Sequence, residues 1–138
     1  MRIVLDTNCF LAILPKISPY RTVFDAYRQG RFELAVSTEI LAEYEEIFGS
    51  RMTPTIAQNV LSLVDKQPNT VRVNVFYSWN LITSDPDDNK FVDAAIASNA
   101  DYLVTHDGHF RVLSEVAFPN VVCLTLAEFI RVLDEREA

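Results

Sequence analysis

The 138-residue sequence is short of the groups that hold soft metals, with 2 cysteines, Cys9 and Cys123, and 2 histidines, His106 and His109. Two separated cysteines make neither a CxxC pair nor a four-ligand zinc site, so any bound metal is expected to sit among oxygen atoms. Long apolar runs are also missing. No stretch approaches the roughly 18 residues of a membrane helix, and the opening MRIVLDTN meets Asp6 too early for a signal-peptide core. The expectation is a cytoplasmic protein with no membrane partner. Positive charge is scarce as well, since 12 Lys plus Arg against 19 Asp plus Glu leave a net charge of −7. That balance argues against a protein that coats DNA by neutralising its phosphates. It does not argue against a nuclease, because phosphate bound through divalent cations calls for acids where a simple binder has Lys and Arg.

What is present is a globular composition, 49% hydrophobic, 22% charged and 11% aromatic. About two-thirds of the unfolded surface can be buried at this length, so one domain over 1–138 needs no disulfide or structural zinc. Cys9 and Cys123 accordingly read as small buried apolar residues.

Ile3-Val4-Leu5 reads as a buried strand ending in the polar triplet Asp6, Thr7, Asn8. Ser18-Pro19 then opens a predicted helix through Tyr20, Val23, Phe24 and Tyr27, stopped by Gly30. Phe32 to Val36 reads as a second strand, and Ser37 caps a helix with the stripe Ile40, Leu41, Tyr44, Ile47, Phe48, expected to end at Gly49. Thr53-Pro54 starts another helix, closed by Pro68, and Val71, Val73 and Val75 alternate as a half-exposed strand. Tyr77 to Asn89 is the least regular segment and feeds a helix carrying Phe91, Val92, Ala95 and Ile96. Tyr102 to Thr105 and Val121 to Leu124 read as the remaining strands, and Thr125 with Glu128 has capping-box spacing before a terminal helix.

Strands separated by helices imply right-handed crossovers and an α/β fold with a parallel sheet covered on both faces. Functional groups in such folds lie beyond the C-terminal ends of the strands. Asp6, Glu43 and Asp107 all fall near that edge. Glu43 lies only about 40° of helical arc from Ile47, which lets it reach over the sheet edge, although spacing alone admits Glu45 equally. Asp85-Pro-Asp-Asp88 holds three carboxylates in four residues, with Asp93 shortly after. One cap does not need that density. Crowded like charges raise one another's pKa unless a cation is present, and oxygen ligands with open positions suit Mg²⁺ or Mn²⁺. The chemistry expected of such a set is attack of a water on a phosphodiester.

Four pieces in order, IVLDTN, STEILAEYEEI, DPDDNKFVDAAIASNADYLVTHD and the overall length, resemble the PIN-domain ribonucleases. The likeness is greatest to the branch of toxins from bacterial and archaeal toxin–antitoxin pairs and spans nearly the whole chain. It implies a three-layer sandwich whose central parallel sheet has four or five strands. It also implies single-stranded RNA as substrate, Mg²⁺ or Mn²⁺ as cofactor and a water nucleophile without a covalent intermediate. By this resemblance Asp6, Glu43, Asp88 and Asp107 are the metal-binding catalytic acids, with Asp93 as an auxiliary ligand or a residue behind the ligands. Asn8 and Thr105 would line the pocket or serve as turn and strand-end hydrogen bonders. Lys90, two residues after Asp88, is the foremost candidate for RNA contact among the scattered basic residues. His106 and His109 are not required and read as loop residues. Apolar surface on the helix pair joined by residues 49–54 would serve a homodimer or an antitoxin in such a family, or simply the core.

Competing readings need residues that are absent. A phosphatase of the haloacid-dehalogenase kind requires a second carboxylate two residues after Asp6, where Asn8 stands. A receiver domain requires a late lysine, and none follows Lys90. A catalytically silent relative that binds metal or RNA remains the alternative to an active nuclease.

Overall fold

A computed structural model describes residues 1–137, and Ala138, the last residue of the expected domain, lies outside the described residues. Five parallel strands, β1 (Arg2–Leu5), β2 (Glu33–Val36), β3 (Thr70–Arg72), β4 (Tyr102–Val104) and β5 (Cys123–Leu124), form one sheet in the order β3-β2-β1-β4-β5. Central β1 pairs Ile3 with both Leu34 and Tyr102, and Leu5 with Val104. The chain moves outward from β1 to β3, then returns to the other side of β1 for β4 and β5. Connections therefore diverge to the two sides at the C-terminal end of β1, the place where open α/β sheets commonly carry their sites.

The covering helices are α1 (Thr7–Ile13), α2 (Arg21–Arg28), α3 (Thr38–Arg51), α4 (Pro54–Lys66), α5 (Asn89–Ala97) and α6 (Leu126–Glu137). Local chemistry sets their starts. The Ser37 hydroxyl accepts from Ile40 N at 3.2 Å, and Thr53 accepts from Ile56 N at 3.3 Å. The Thr125 and Glu128 pair closes a reciprocal box, with 2.9 Å from Thr125 N to Glu128 Oε1 and 3.2 Å from Glu128 N to Thr125 Oγ1. Phe10 of α1 meets Tyr44 and Phe48 of α3 edge-on, at 5.1 and 5.2 Å between ring centroids. All three rings are fully buried and lock α1 to α3. No helix among the described residues is long and apolar enough to cross a membrane.

Four local expectations are corrected. The polar triplet after β1 is the start of a helix, because Asp6 caps α1 and Cys9, Phe10 and Ile13 bury one face of it. Helix α2 begins at Arg21, not at Pro19, since Ser18 to Tyr20 form a turn in which Ser18 Oγ accepts from Tyr20 N at 3.0 Å. Gly49 lies inside α3, whose last turn is held by Met52 N donating to Phe48 O at 2.9 Å; the stop comes from Thr53-Pro54. Val73 N still donates to Val36 O at 2.9 Å, but β2 ends at Val36 and leaves Val75 no strand to pair with.

Candidate active site

Asp6 leaves the end of β1 with its backbone N–H bonded to Val104 O at 3.1 Å, which ties it to the end of β4. Its carboxylate is divided between two tasks. Oδ1 accepts from Cys9 N at 2.8 Å and caps α1, while Oδ2 accepts from the Thr105 hydroxyl. Asp6 and Thr105 are only 6% and 5% exposed, so the pair is rigidly seated. The same Thr105 oxygen accepts from Asp107 N at 3.0 Å and so joins the first and last acids of the site.

Glu43 is positioned from the neighbouring residue. The Tyr44 hydroxyl donates to Leu5 O, which fixes this turn of α3 over the end of β1. Glu43 Oε2 then accepts from the Thr7 hydroxyl, and Oε1 lies 2.8 Å from Lys90 Nζ, both partners of that ion pair being largely covered. Glu45, the alternative by spacing, is exposed.

The loop acids converge on a histidine. A 3-10 turn over Pro86–Asp88 leads into α5, and Asp88 sits at the helix start without capping it. Its Oδ2 instead lies 3.1 Å from His109 Nδ1, which is also 3.2 Å from Asp107 Oδ1 and 3.9 Å from Asp85 Oδ2. Asp107 caps the 3-10 segment Gly108–Glu115 by accepting from His109 N at 2.9 Å, and this places the imidazole among three carboxylates. Burial pushes the Asp88 carboxyl up from its ordinary value; the His109 hydrogen bond opposes this, and Asp107 and Asp85 reinforce it. The hydrogen bond to Asp88, assisted by the charge of Asp107, raises His109 above the usual imidazole value.

Asp85, Asp88 and His109 offer donor atoms within 4.8 Å of one another, the only such group of three or more among the described residues. Two carboxylates and one imidazole fit a hard or borderline divalent cation. The four sequence-predicted acids form no equally compact set. They are joined instead along a chain of contacts, from Asp88 through His109 to Asp107, through Thr105 to Asp6, and through Thr7, which follows Asp6, to Glu43 and Lys90.

The structure does not bring the other expected residues into this chain. Asn8 is exposed on α1, and Thr7 makes the contact to Glu43 in its place. Asp93 is buried further along α5 and accepts from Trp79 N at 3.1 Å, away from the metal-capable group. His106 accepts from Leu126 N at 3.1 Å through Nε2 and supports the start of α6. Sequence reasoning passed over His109 and did not single out Asp85 from its loop. The available signal was the density of the DPDD run and a histidine two residues after Asp107.

A family model described as PIN domain matches residues 2–109. The chain belongs to the PIN domain family. Among solved structures, this PIN domain is similar to VapBC2 from Rickettsia felis, whose crystal structure is bound to a DNA fragment from the promoter. That match has a TM-score of 0.62 at 22% identity and covers 91% of this chain and 98% of that one. VapBC-1 from nontypeable Haemophilus influenzae matches with a TM-score of 0.60 at 14% identity, over 92% and 99% of the two chains. The RRP44 PIN domain of T. brucei matches with 0.54 at 17% identity, over 98% and 82%. At these identities the likeness is one of fold. No curated protein matches the sequence.

Proposed function

We propose that this PIN domain is a metal-dependent endoribonuclease that hydrolyses single-stranded RNA, the toxin of a toxin–antitoxin pair with a protein antitoxin as partner. The observation that carries the reading is the linkage of Asp6, Asp107 and Asp88 through Thr105 and His109 at the C-terminal edge of a parallel sheet, with Glu43 held beside them by the Thr7 that follows Asp6. Family membership and the fold likeness to VapBC proteins support it. The cytoplasm, where RNA and such a partner meet, is the compartment that goes with this reading.

Asp88 and Asp85, with Asp107 and Asp6 across Thr105, would hold Mg²⁺ or Mn²⁺. Such a cation supplies a water of lowered pKa and stabilises charge on phosphate oxygens. The chain's own residues then have distinct tasks. Thr105 holds the carboxylate of Asp6 and the backbone of Asp107, and Thr7 holds the carboxylate of Glu43. Lys90 neutralises Glu43 and presents a cation beside the path of an RNA backbone. His109, held by Asp88 and Asp107, would keep those two carboxylates in place beside the cation.

The decisive experiment incubates purified protein with a mixed single-stranded RNA pool in Mg²⁺, Mn²⁺ or EDTA, alongside Asp6→Asn and Asp88→Asn. Cleavage is expected only with the cation and with both aspartates intact. Full activity in Asp6→Asn sinks the assignment. A Mn²⁺ melting shift without cleavage of any RNA favours the silent relative.

A further inference from the structure

A chain with 2 cysteines and 2 histidines is expected to hold a cation through oxygen alone, yet the structure turns a nitrogen into the candidate centre. His109 faces the acids through Nδ1. That atom lies 3.1 Å from Asp88 Oδ2, 3.2 Å from Asp107 Oδ1 and 3.9 Å from Asp85 Oδ2. Two local devices assemble the set. Asp85 caps the 3-10 turn that ends at Asp88, with Asp88 N donating to Asp85 O at 3.1 Å, and side chains three residues apart in such a turn lie on one face. Asp107 caps the later 3-10 segment by accepting from His109 N, which brings the imidazole back over the capping carboxylate.

A proton on Nδ1 serves this set only in part. It points at one oxygen, and at 3.9 Å Asp85 Oδ2 is beyond hydrogen-bond reach. A cation has no such direction, and it draws in the carboxylates and the nitrogen lone pair together. Ligands at right angles around a six-coordinate ion, with bonds of about 2.1 Å, stand about 3 Å apart. Nδ1 stands at that spacing from both Asp88 and Asp107. The His109 side chain is 45% exposed, which leaves room for water and phosphate oxygens on the open side. Resting on the metal-dependent reading of this centre, we propose that His109 is itself a ligand of the cation, bound through Nδ1 in place of its proton, and that this nitrogen sets the choice of metal. Binding releases the proton to water and forms one metal–nitrogen bond, with no change of oxidation state. Mg²⁺ prefers oxygen and gives up its waters reluctantly, whereas imidazole suits transition-metal ions. The centre therefore takes Mn²⁺ ahead of Mg²⁺. His106, the other histidine, is engaged elsewhere, with Nε2 accepting from Leu126 N at 3.1 Å.

The test is pulsed electron paramagnetic resonance of the Mn²⁺-loaded full chain, which detects nitrogen bound directly to the ion, joined to a competition titration with Mg²⁺. Nitrogen coupling is expected in the wild type and should respond to isotope labelling of histidine alone. It should persist in His106→Gln and vanish in His109→Gln, a change at a half-exposed side chain that keeps the backbone N–H of the Asp107 cap. His109→Gln is also expected to weaken Mn²⁺ binding about tenfold or more while leaving Mg²⁺ nearly as before. Mn²⁺ bound without nitrogen coupling, coupling that survives in His109→Gln, equal weakening of both ions, or no bound Mn²⁺ overturns the proposal. The wild-type spectrum decides by itself if a variant does not fold. Mn²⁺-dependent cleavage without nitrogen coupling refutes the histidine ligand alone, and coupling without cleavage of any RNA refutes the nuclease alone.

Discussion

Thr105 shows how one side chain can hold two acids of a site, since its single oxygen donates to Asp6 Oδ2 and accepts from Asp107 N. Thr105→Val leaves a buried carboxylate oxygen and a backbone N–H without that partner, and is expected to destabilise the protein by about 1–3 kcal/mol. Urea denaturation checks this, with Thr105→Ser restoring most of the loss; a difference below about 0.5 kcal/mol would show that the bridge contributes little. Asp93 leads to a pH effect of determined sign. Its folded carboxyl lies above the ordinary value of 3.8 because burial disfavours the charge. Its contribution to stability is therefore full below that value and is lost as pH rises through the raised one. Denaturation midpoints of Asp93→Asn should thus gain on the wild type from about pH 4 upward and level off once the wild-type carboxyl has ionised. A gap that does not change with pH would show that Asp93 is well solvated. At this scale the acids were legible, because carboxylates after strands are visible as such. Thr105 reads in sequence as a pocket or strand-end residue, but its bridging of Asp6 and Asp107, and the part of Thr7 in holding Glu43, arise only when β1, β4 and α3 meet.

The element that positions Glu43 is α3, and its start depends on one hydroxyl. Ser37→Ala is expected to lose about 1 kcal/mol, a typical value for removal of an N-cap, read from the denaturation midpoint. The joint between α1 and α3 is worth more. Phe10→Ala removes a fully buried ring that packs on Tyr44 and Phe48, with an expected loss of about 3–5 kcal/mol. A loss under about 1 kcal/mol would mean that α1 is not locked to α3 by its rings. Helices α3, α4 and α6 were legible because their caps and apolar stripes are local signals. Helix α1 escaped because it spans only Thr7–Ile13 and opens on residues that equally favour a turn. Gly49 misled for a related reason. A glycine weakens a helix without ending it when Phe48 is buried at 0% exposure and the chain still makes hydrogen bonds to Met52.

For the whole molecule the clustered acids are, under the proposed function, a liability that a cation would relieve. Under the proposed function, Mn²⁺ at 100 times its dissociation constant stabilises the fold by about 2.7 kcal/mol. Thermal melting with Mn²⁺ and with EDTA should then differ by roughly 10 °C for a chain of this size, and Asp88→Asn should lose most of the difference. An equal shift in that variant would place the cation elsewhere. The amino-acid sequence by itself determined the parallel α/β architecture, the order of its elements and the delivery of Asp6 and Asp107 to one sheet edge. Alternating strands and helices allow few other topologies, and side chains just past parallel strands share an edge. Only the tertiary structure decided which atoms meet. The Asp85, Asp88 and His109 group, the Lys90 to Glu43 pair and the bond from Trp79 N to Asp93 all depend on the segments after β3 and β4. Those segments are irregular or 3-10, carry no periodic pattern, and take their course from what they pack against.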